Sequence, residues 1–290
     1  MSLSALCQRG ATAPRLSLEQ DAALLRRELA TSFRTLTSVE VAWQHGQRAA
    51  TPGTAFFCGY QAAMRQLDPQ LAADAWAAFC ISEAGLRSLR QMQTRFDERT
   101  SCLNGEKSHV MLARRGLDLL YVVAVCDDDL VCVQVTADAA GVEPLEARKE
   151  QPFLPDVPHT PVHFSNVTVT SAYRCLHAHQ QLNKPFRYWE DVHVALAFSG
   201  WLTANADADN THSLVAAAGR LADIFSARPK DYSLAALDAL EDVLACQDEL
   251  LPLLADDVRA LWLRDRILLQ LAVPLRGKIR ASLMAAQASV

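Results

Sequence analysis

The sequence predicts a multidomain α+β protein with N-terminal helices (1–78), a central antiparallel β-barrel (79–172) and a C-terminal four-helix bundle (173–290). Three observations predict it. Ala22, Leu25, Leu29 and Phe33 recur near helical spacing early in the chain. Between Phe79 and Val169, β-branched and aromatic residues fall in short runs separated by turn signals. After Lys184-Pro185 the helical pattern returns and persists.

Taken in order, residues 1–15 carry Gly10, Pro14 and no periodicity, and read as a frayed lead-in. Ser17 is placed to cap the first helix, and Val39 to Arg48 either continues it or starts another. Pro52-Gly53 breaks the chain. Thr54 is then placed to cap a helix through Phe57, Tyr60, Ala63 and Met64, which Asp68-Pro69 ends, and a short helix comes next, to about Ala78. Candidate strands lie at 79–82, 92–97, 100–103, 107–112, 118–125, 129–136, 142–146 and 161–164. Asn104-Gly105 and Asp127-Asp128-Asp129 read as tight turns between them. So many short strands in so short a stretch imply a barrel or sandwich. Helices are expected over 186–205, 210–227, 233–250 and 256–287, the last kinked at Pro274 and weakened by Gly277. Their short polar connections favour an antiparallel bundle.

Composition bounds the function. The 290 residues are 50% hydrophobic and 21% charged, an ordinary globular balance. A net charge of −5 with scattered Lys and Arg argues against a nucleic-acid partner. Eight cysteines form no CxxC pair and read as reduced, buried thiols. No apolar run approaches the roughly 20 residues of a membrane span, and no apolar signal segment opens the chain, so a cytoplasmic protein is expected. His177-Ala178-His179 and the Glu190/His193 pair lack the further ligands a metal would need, and no metal is expected.

The most informative stretch holds Ser82-Glu83-Ala84-Gly85-Leu86-Arg87-Ser88-Leu89, then Thr94, then Leu103-Asn104-Gly105-Glu106-Lys107, then Leu117-Asp118. Phe164-Ser165-Asn166-Val167 closes the β region. In this order and spacing the residues resemble the middle domain of the acyl-CoA dehydrogenase family, with its Thr-Glu-Pro-x-x-Gly-Ser-Asp turn, a following Thr, Leu-Asn-Gly-x-Lys and a closing Phe-x-x-Val. Both ends read shorter than in a typical member, and the family's Arg-x-x-Phe-Gly segment has no counterpart here.

The resemblance implies α,β-dehydrogenation of an acyl-CoA thioester, with FAD as oxidant and electrons passed to an electron-transfer flavoprotein. It also implies a homo-oligomer, or a hetero-oligomer with a paralogue. It places Ser82, Ser88 and Thr94 beside the flavin and His109 where the family carries a shielding Trp. Glu190, ten residues before Gly200, matches the base of the isovaleryl- and long-chain-type branch. Arg87 replaces a glycine of the turn, and Met111, which donates no hydrogen bond, replaces a threonine. Each position also has a plainer reading: turn hydroxyls for Ser82, Ser88 and Thr94, a half-buried strand residue for His109, and a dipole-complementing acid for Glu190. The rival for the whole chain is a non-catalytic homologue that serves as a binding or structural subunit.

Overall fold

The structure is a computed structural model that describes residues 14–146 and 151–288. Most of the expected lead-in, residues 1–13, lies outside the described residues. The chain is already anchored at Leu16, which donates its amide to Arg48 O at 2.7 Å and accepts from Ala50 N at 2.8 Å.

The chain forms two compact units, one from residues up to 69, 152–156 and 186 onward, the other from 70–151 and 157–185. The first is helical. Helix α1 (Ala22–Phe33) starts behind Asp21. Ser17 caps a turn ahead of it rather than the helix, accepting from Glu19 N at 3.2 Å. Helix α2 (Ser38–Arg48) is a separate helix with a complete capping box, in which Thr37 and Glu40 satisfy each other's backbone donors. Helix α3 (Pro52–Leu67) is capped by Thr51, not Thr54: Thr51 Oγ1 accepts from Thr54 N at 3.0 Å, leaving Pro52 at the first helical position. The short helix expected up to Ala78 does not form. Residues 68–76 are turn and loop, and Ala77 already belongs to a strand.

Helices α4 (Lys184–Thr203), α5 (His212–Ala227), α6 (Leu234–Leu250), α7 (Asp256–Asp265), α8 (Ile267–Leu271) and α9 (Val273–Ala288) complete the α-helices among the described residues. The expected last helix is thus three, broken at Arg266 and Ala272. Pro274 does not kink it. It sits in the first turn of α9, where its missing N–H costs nothing.

The core of this unit is aromatic. Trp43, Trp201 and Trp262 are fully buried, and Phe198 and Trp262 meet edge to face with centroids 5.2 Å apart. Gly200 of α4 faces α2, where an added Cβ would collide with Trp43 O and come within 3.0 Å of Gln47 N. The helices cross at backbone contact because that position has no side chain. His193 of α4 ties into the same core, with Nδ1 2.6 Å from Trp189 O and Nε2 2.7 Å from Ser38 Oγ. Burial lowers its pKa to about 4, so it is a neutral ring.

The second unit holds strands β1 (Ala77–Cys80), β2 (Arg95–Asp97), β3 (Cys102–Met111), β4 (Leu119–Cys126), β5 (Asp129–Thr136), β6 (Val142–Pro144), β7 (His159–Thr168) and β8 (Arg174–Cys175). Among the described residues they make one sheet in the order β6-β7-β3-β2-β4-β5-β8, with β1 paired to β4 off that path. The expected closed antiparallel barrel is not what forms. The sheet is open and mixed, since β1 and β2 both run parallel to β4. Leu103, Leu120, Val122, Val133, Val162, Phe164 and their neighbours build the core of this unit.

The two turn signals have different fates. Asp127-Asp128 is the two-residue connection of the β4–β5 hairpin, closed by the Cys126/Asp129 pair, with Asp127 at φ 50°. Asn104-Gly105 is no turn. It lies inside β3, at a register shift against β7, so the two short strands expected at 100–103 and 107–112 are one.

Candidate functional site

The residues that carried the family resemblance touch one another within the sheet unit. Glu83 is the hub. Its Oε1 accepts from Lys107 Nζ at 2.8 Å, Thr94 N at 3.0 Å and Thr94 Oγ1 at 2.6 Å, while Oε2 accepts from Gln93 N at 2.7 Å. The Lys107 side chain is 1% exposed and that of Glu83 7%. Burial raises the Glu83 carboxyl, but the bonds from Lys107, Thr94 and Gln93 outweigh it and hold the group below its ordinary value.

Gly105 (φ +138°) packs onto Thr94, where an added Cβ would stand 2.5 Å from Thr94 Cα. Asn104 Oδ1 accepts from Asn166 N at 2.7 Å, and Asp118 Oδ2 accepts from Trp76 N at 2.7 Å. The motif is therefore a packing and hydrogen-bond framework.

The residues expected to contact a flavin are placed differently from one another. Ser82 is exposed, its carbonyl accepting from Ser108 N at 2.8 Å, which puts it beside the Ser108-His109 step. Its hydroxyl has no hydrogen-bond partner among the described residues. Ser88 is exposed and caps the short turn Leu89–Gln91, accepting from Arg90 N at 3.4 Å. Thr94 is fully buried and its hydroxyl proton goes to Glu83. His109 is exposed rather than half-buried, with Nδ1 2.8 Å from Ser108 Oγ. Met111 is buried. Thr94 and Glu83 are brought together; Ser88 stands apart on its own turn.

Glu190 belongs to the helical unit. It lies on the second turn of α4, half-buried, and lines a cavity of about 230 Å³. The wall opposite is aliphatic, made by Leu268 and Leu271 of α8, Leu275 of α9 and Ala272 between them. The Glu190 carboxyl makes no hydrogen bond or ion pair among the described residues. Burial, then the neighbouring Asp191, push its pKa up to about 7, against a weaker pull from Arg187.

Asp191 is the opposite case, with both oxygens engaged. Oδ1 lies 3.4 Å from Arg276 Nη1, and Oδ2 accepts from the Tyr232 hydroxyl. Arg276, 5% exposed, also donates from Nη2 to Leu269 O at 2.6 Å. Sequence reasoning missed this cluster because its members are 41 and 85 residues apart along the chain. An arginine inside an otherwise apolar stretch, Leu275-Arg276-Gly277, was the one local signal. Conversely, Gly200 is explained by the α2–α4 contact, so its distance from Glu190 is no separate sign of catalysis.

Among the described residues no group of three or more His, Cys, Asp and Glu could hold a metal ion. No helix there is long and apolar enough to cross a membrane.

No protein-family model matches the sequence, and no curated protein sequence matches it. Solved structures do. Butyryl-CoA dehydrogenase from Megasphaera elsdenii superposes with a TM-score of 0.71 at 11% identity, over 98% of this chain and 94% of that one. An FAD-dependent dehydrogenase gives 0.64 at 15% identity, over 99% and 91%. The prolyl acyl carrier protein oxidase AnaB gives 0.61 at 13% identity, over 84% and 79%. At these identities the likeness is one of fold: the chain has the acyl-CoA dehydrogenase fold.

Proposed function

We propose that the protein is a flavoprotein of acyl-CoA dehydrogenase type, acting on an acyl thioester such as an acyl-CoA, with Glu190 as the base. The observation that carries this is the uncommitted Glu190 carboxyl facing the aliphatic wall of a cavity of about 230 Å³, which Arg187 and Asp191 also line. A base that removes a weakly acidic α-proton needs a carboxyl without competing donors and a proton affinity near neutrality. The cavity supplies both, and its aliphatic wall suits an acyl chain better than a charged ligand. Two structures of the same fold are described as a butyryl-CoA dehydrogenase and a prolyl acyl carrier protein oxidase, both named for acyl thioesters.

The sheet residues fit FAD at three of the four expected positions. The free hydroxyl of Ser82, the hydroxyl proton of Ser88 and the exposed ring of His109 are available to hold it. Thr94 does not fit, being fully buried with its hydroxyl proton committed to Glu83. When bound, FAD supplies the two-electron oxidant. Glu190 takes the α-proton onto a carboxylate oxygen, and the aliphatic wall opposite gives the acyl chain an apolar surface to lie on. An electron-transfer flavoprotein as acceptor, an oligomeric state and a cytoplasmic location belong to the same reading.

Purified protein incubated with FAD and desalted keeps the flavin absorbance bands on this reading. A panel of acyl-CoA thioesters bleaches them, and Glu190→Gln binds flavin and thioester without bleaching. A chain that stays colourless, or a Glu190→Gln variant as fast as the parent, removes the reading. The committed Thr94 proton and the buried Met111, which leave two expected flavin donors missing, favour a second one: a non-catalytic homologue acting as a binding subunit. A colourless protein is its expected result.

A further inference from the structure

Glu190 and Asp191 are consecutive acids on one helix, line one cavity and are treated in opposite ways. Three elements converge on Asp191. Arg276 reaches it from α9, the Tyr232 hydroxyl from the segment before α6, and its own backbone belongs to α4. Tyr232 also donates to Arg187 O at 3.3 Å, and Arg276 to Leu269 O at 2.6 Å, so both partners are themselves anchored. An arginine as buried as Arg276 stands only where a carboxylate compensates it. Glu190 has no such partner.

We propose that Asp191 is a positioning residue: clamped by Arg276 and Tyr232, it stands as a fixed negative charge beside the free carboxyl of Glu190 and makes that carboxyl a stronger base than a lone glutamate at the same place. The inference rests on Glu190 being the base, and adds how its strength is set. The charged and titratable groups around Glu190 are Arg187 and Asp191 on α4, Tyr232 and Arg276. Arg187 is exposed and acts through solvent. Tyr232 is held above its ordinary pKa by burial and by Asp191, and so stays a donor. Burial raises the Asp191 carboxyl above its ordinary value, and Arg276 and the Tyr232 hydroxyl oppose that by favouring its charged form, a counterweight Glu190 lacks from its own contacts.

The arrangement predicts shifts of opposite sign, which a merely structural role would not produce. Asp191→Asn keeps the shape and deletes the charge, so Glu190 titrates about one pH unit lower. Arg276→Gln leaves Asp191 uncompensated, so the pair holds a shared proton to higher pH and the Glu190 titration moves up. Arg276→Lys keeps the charge and stays near the parent.

The test is a carboxyl-13C NMR titration of protein labelled in its glutamates, with the Glu190 signal assigned by its loss in Glu190→Gln. A lower midpoint in Asp191→Asn with a higher one in Arg276→Gln supports the inference. An unchanged midpoint in Asp191→Asn, or shifts of the same sign in both, overturns it. Tyr232→Phe, which keeps the ring and removes the clamp's hydroxyl, gives a further arm should Arg276→Gln fail to fold; it too moves the midpoint up, and no movement counts against the clamp. The titration is read on the carboxyl itself, so it gives an answer even for a protein inactive on every thioester. The base assignment fails separately, through turnover by Glu190→Gln.

Discussion

Replacing Glu83 with alanine removes the one acceptor on which Lys107, Gln93 and Thr94 converge. Gln93 is exposed and its amide recovers water. Lys107 does not: its side chain is 1% exposed, and its one other partner among the described residues is Ile81 O at 3.4 Å. A buried charge that loses its partner costs about 3–5 kcal/mol. The Thr94 amide and hydroxyl lose a charged acceptor, worth about 1.5 kcal/mol or more for such a bond. Since the carbonyl of Glu106 at 3.3 Å takes over the hydroxyl but not the amide, the expected loss is about 5 kcal/mol. The double variant Glu83→Ala/Lys107→Met removes the stranded charge as well. Its expected loss is about 2 kcal/mol, less than for Glu83→Ala alone, because a methionine fills the lysine's path without a charge. Urea unfolding of parent, single and double variants, followed by far-ultraviolet circular dichroism, measures both. A Glu83→Ala loss under about 1 kcal/mol, or a double variant worse than the single by the full Lys107→Met cost, would refute the claim that burial of Lys107 sets the penalty.

Three further outcomes are expected from the same geometry. Gly105→Ala puts a Cβ 2.5 Å from Thr94 Cα at a φ of +138°, and a loss of about 3 kcal/mol is expected in the same unfolding assay; a neutral substitution would mean the strand does not bulge onto Thr94. The Glu83 carboxyl titrates below its ordinary value of 4.5 in the folded protein. Its contribution is therefore complete above that value and is lost as pH falls through the folded pKa, and Glu83→Gln is expected to flatten the acid limb of the stability–pH curve. Cys58, Cys80 and Cys132 are fully buried, the first two with thiols pushed up to about 12, so a thiol reagent at neutral pH is expected to spare all three until urea unfolds the chain. Mass spectrometry of labelled peptides reads this directly.

The fold was legible where a signal is local. Asp127-Asp128 names its hairpin because a two-residue turn needs residues that tolerate positive φ, and the strand residues on either side are β-branched. Asn104-Gly105 carries the same local preference and means something else. The positive φ there serves a bulge against β7 and a backbone pressed on Thr94, and both neighbours are distant in sequence. Thr51 and Thr54 are each competent caps, and only the bond between them decides which one starts the helix. Sheet closure was not legible at all, because whether strands close a barrel depends on edges that no single strand encodes.

At the site, Glu190 was singled out only through the family resemblance, by its place ten residues before Gly200. Its relation to Asp191 was not legible, because Arg276 and Tyr232 arrive from other elements. The motif that named the fold says little of chemistry, since Glu83, Thr94, Gly105 and Lys107 are spent on holding one another.

The bond from Ser38 to His193 spans 155 residues, and it fastens a helix from the start of the helical unit to one from its later half. A ribosome emits α1, α2 and α3 long before it emits α4. During that interval the faces carrying Trp43, Phe57 and Met64 have no α4 to cover them, while the β4–β5 hairpin closes over two residues as soon as it emerges. The nascent chain therefore carries apolar surface that stays uncovered until α4 emerges, an interval in which such surface is open to aggregation.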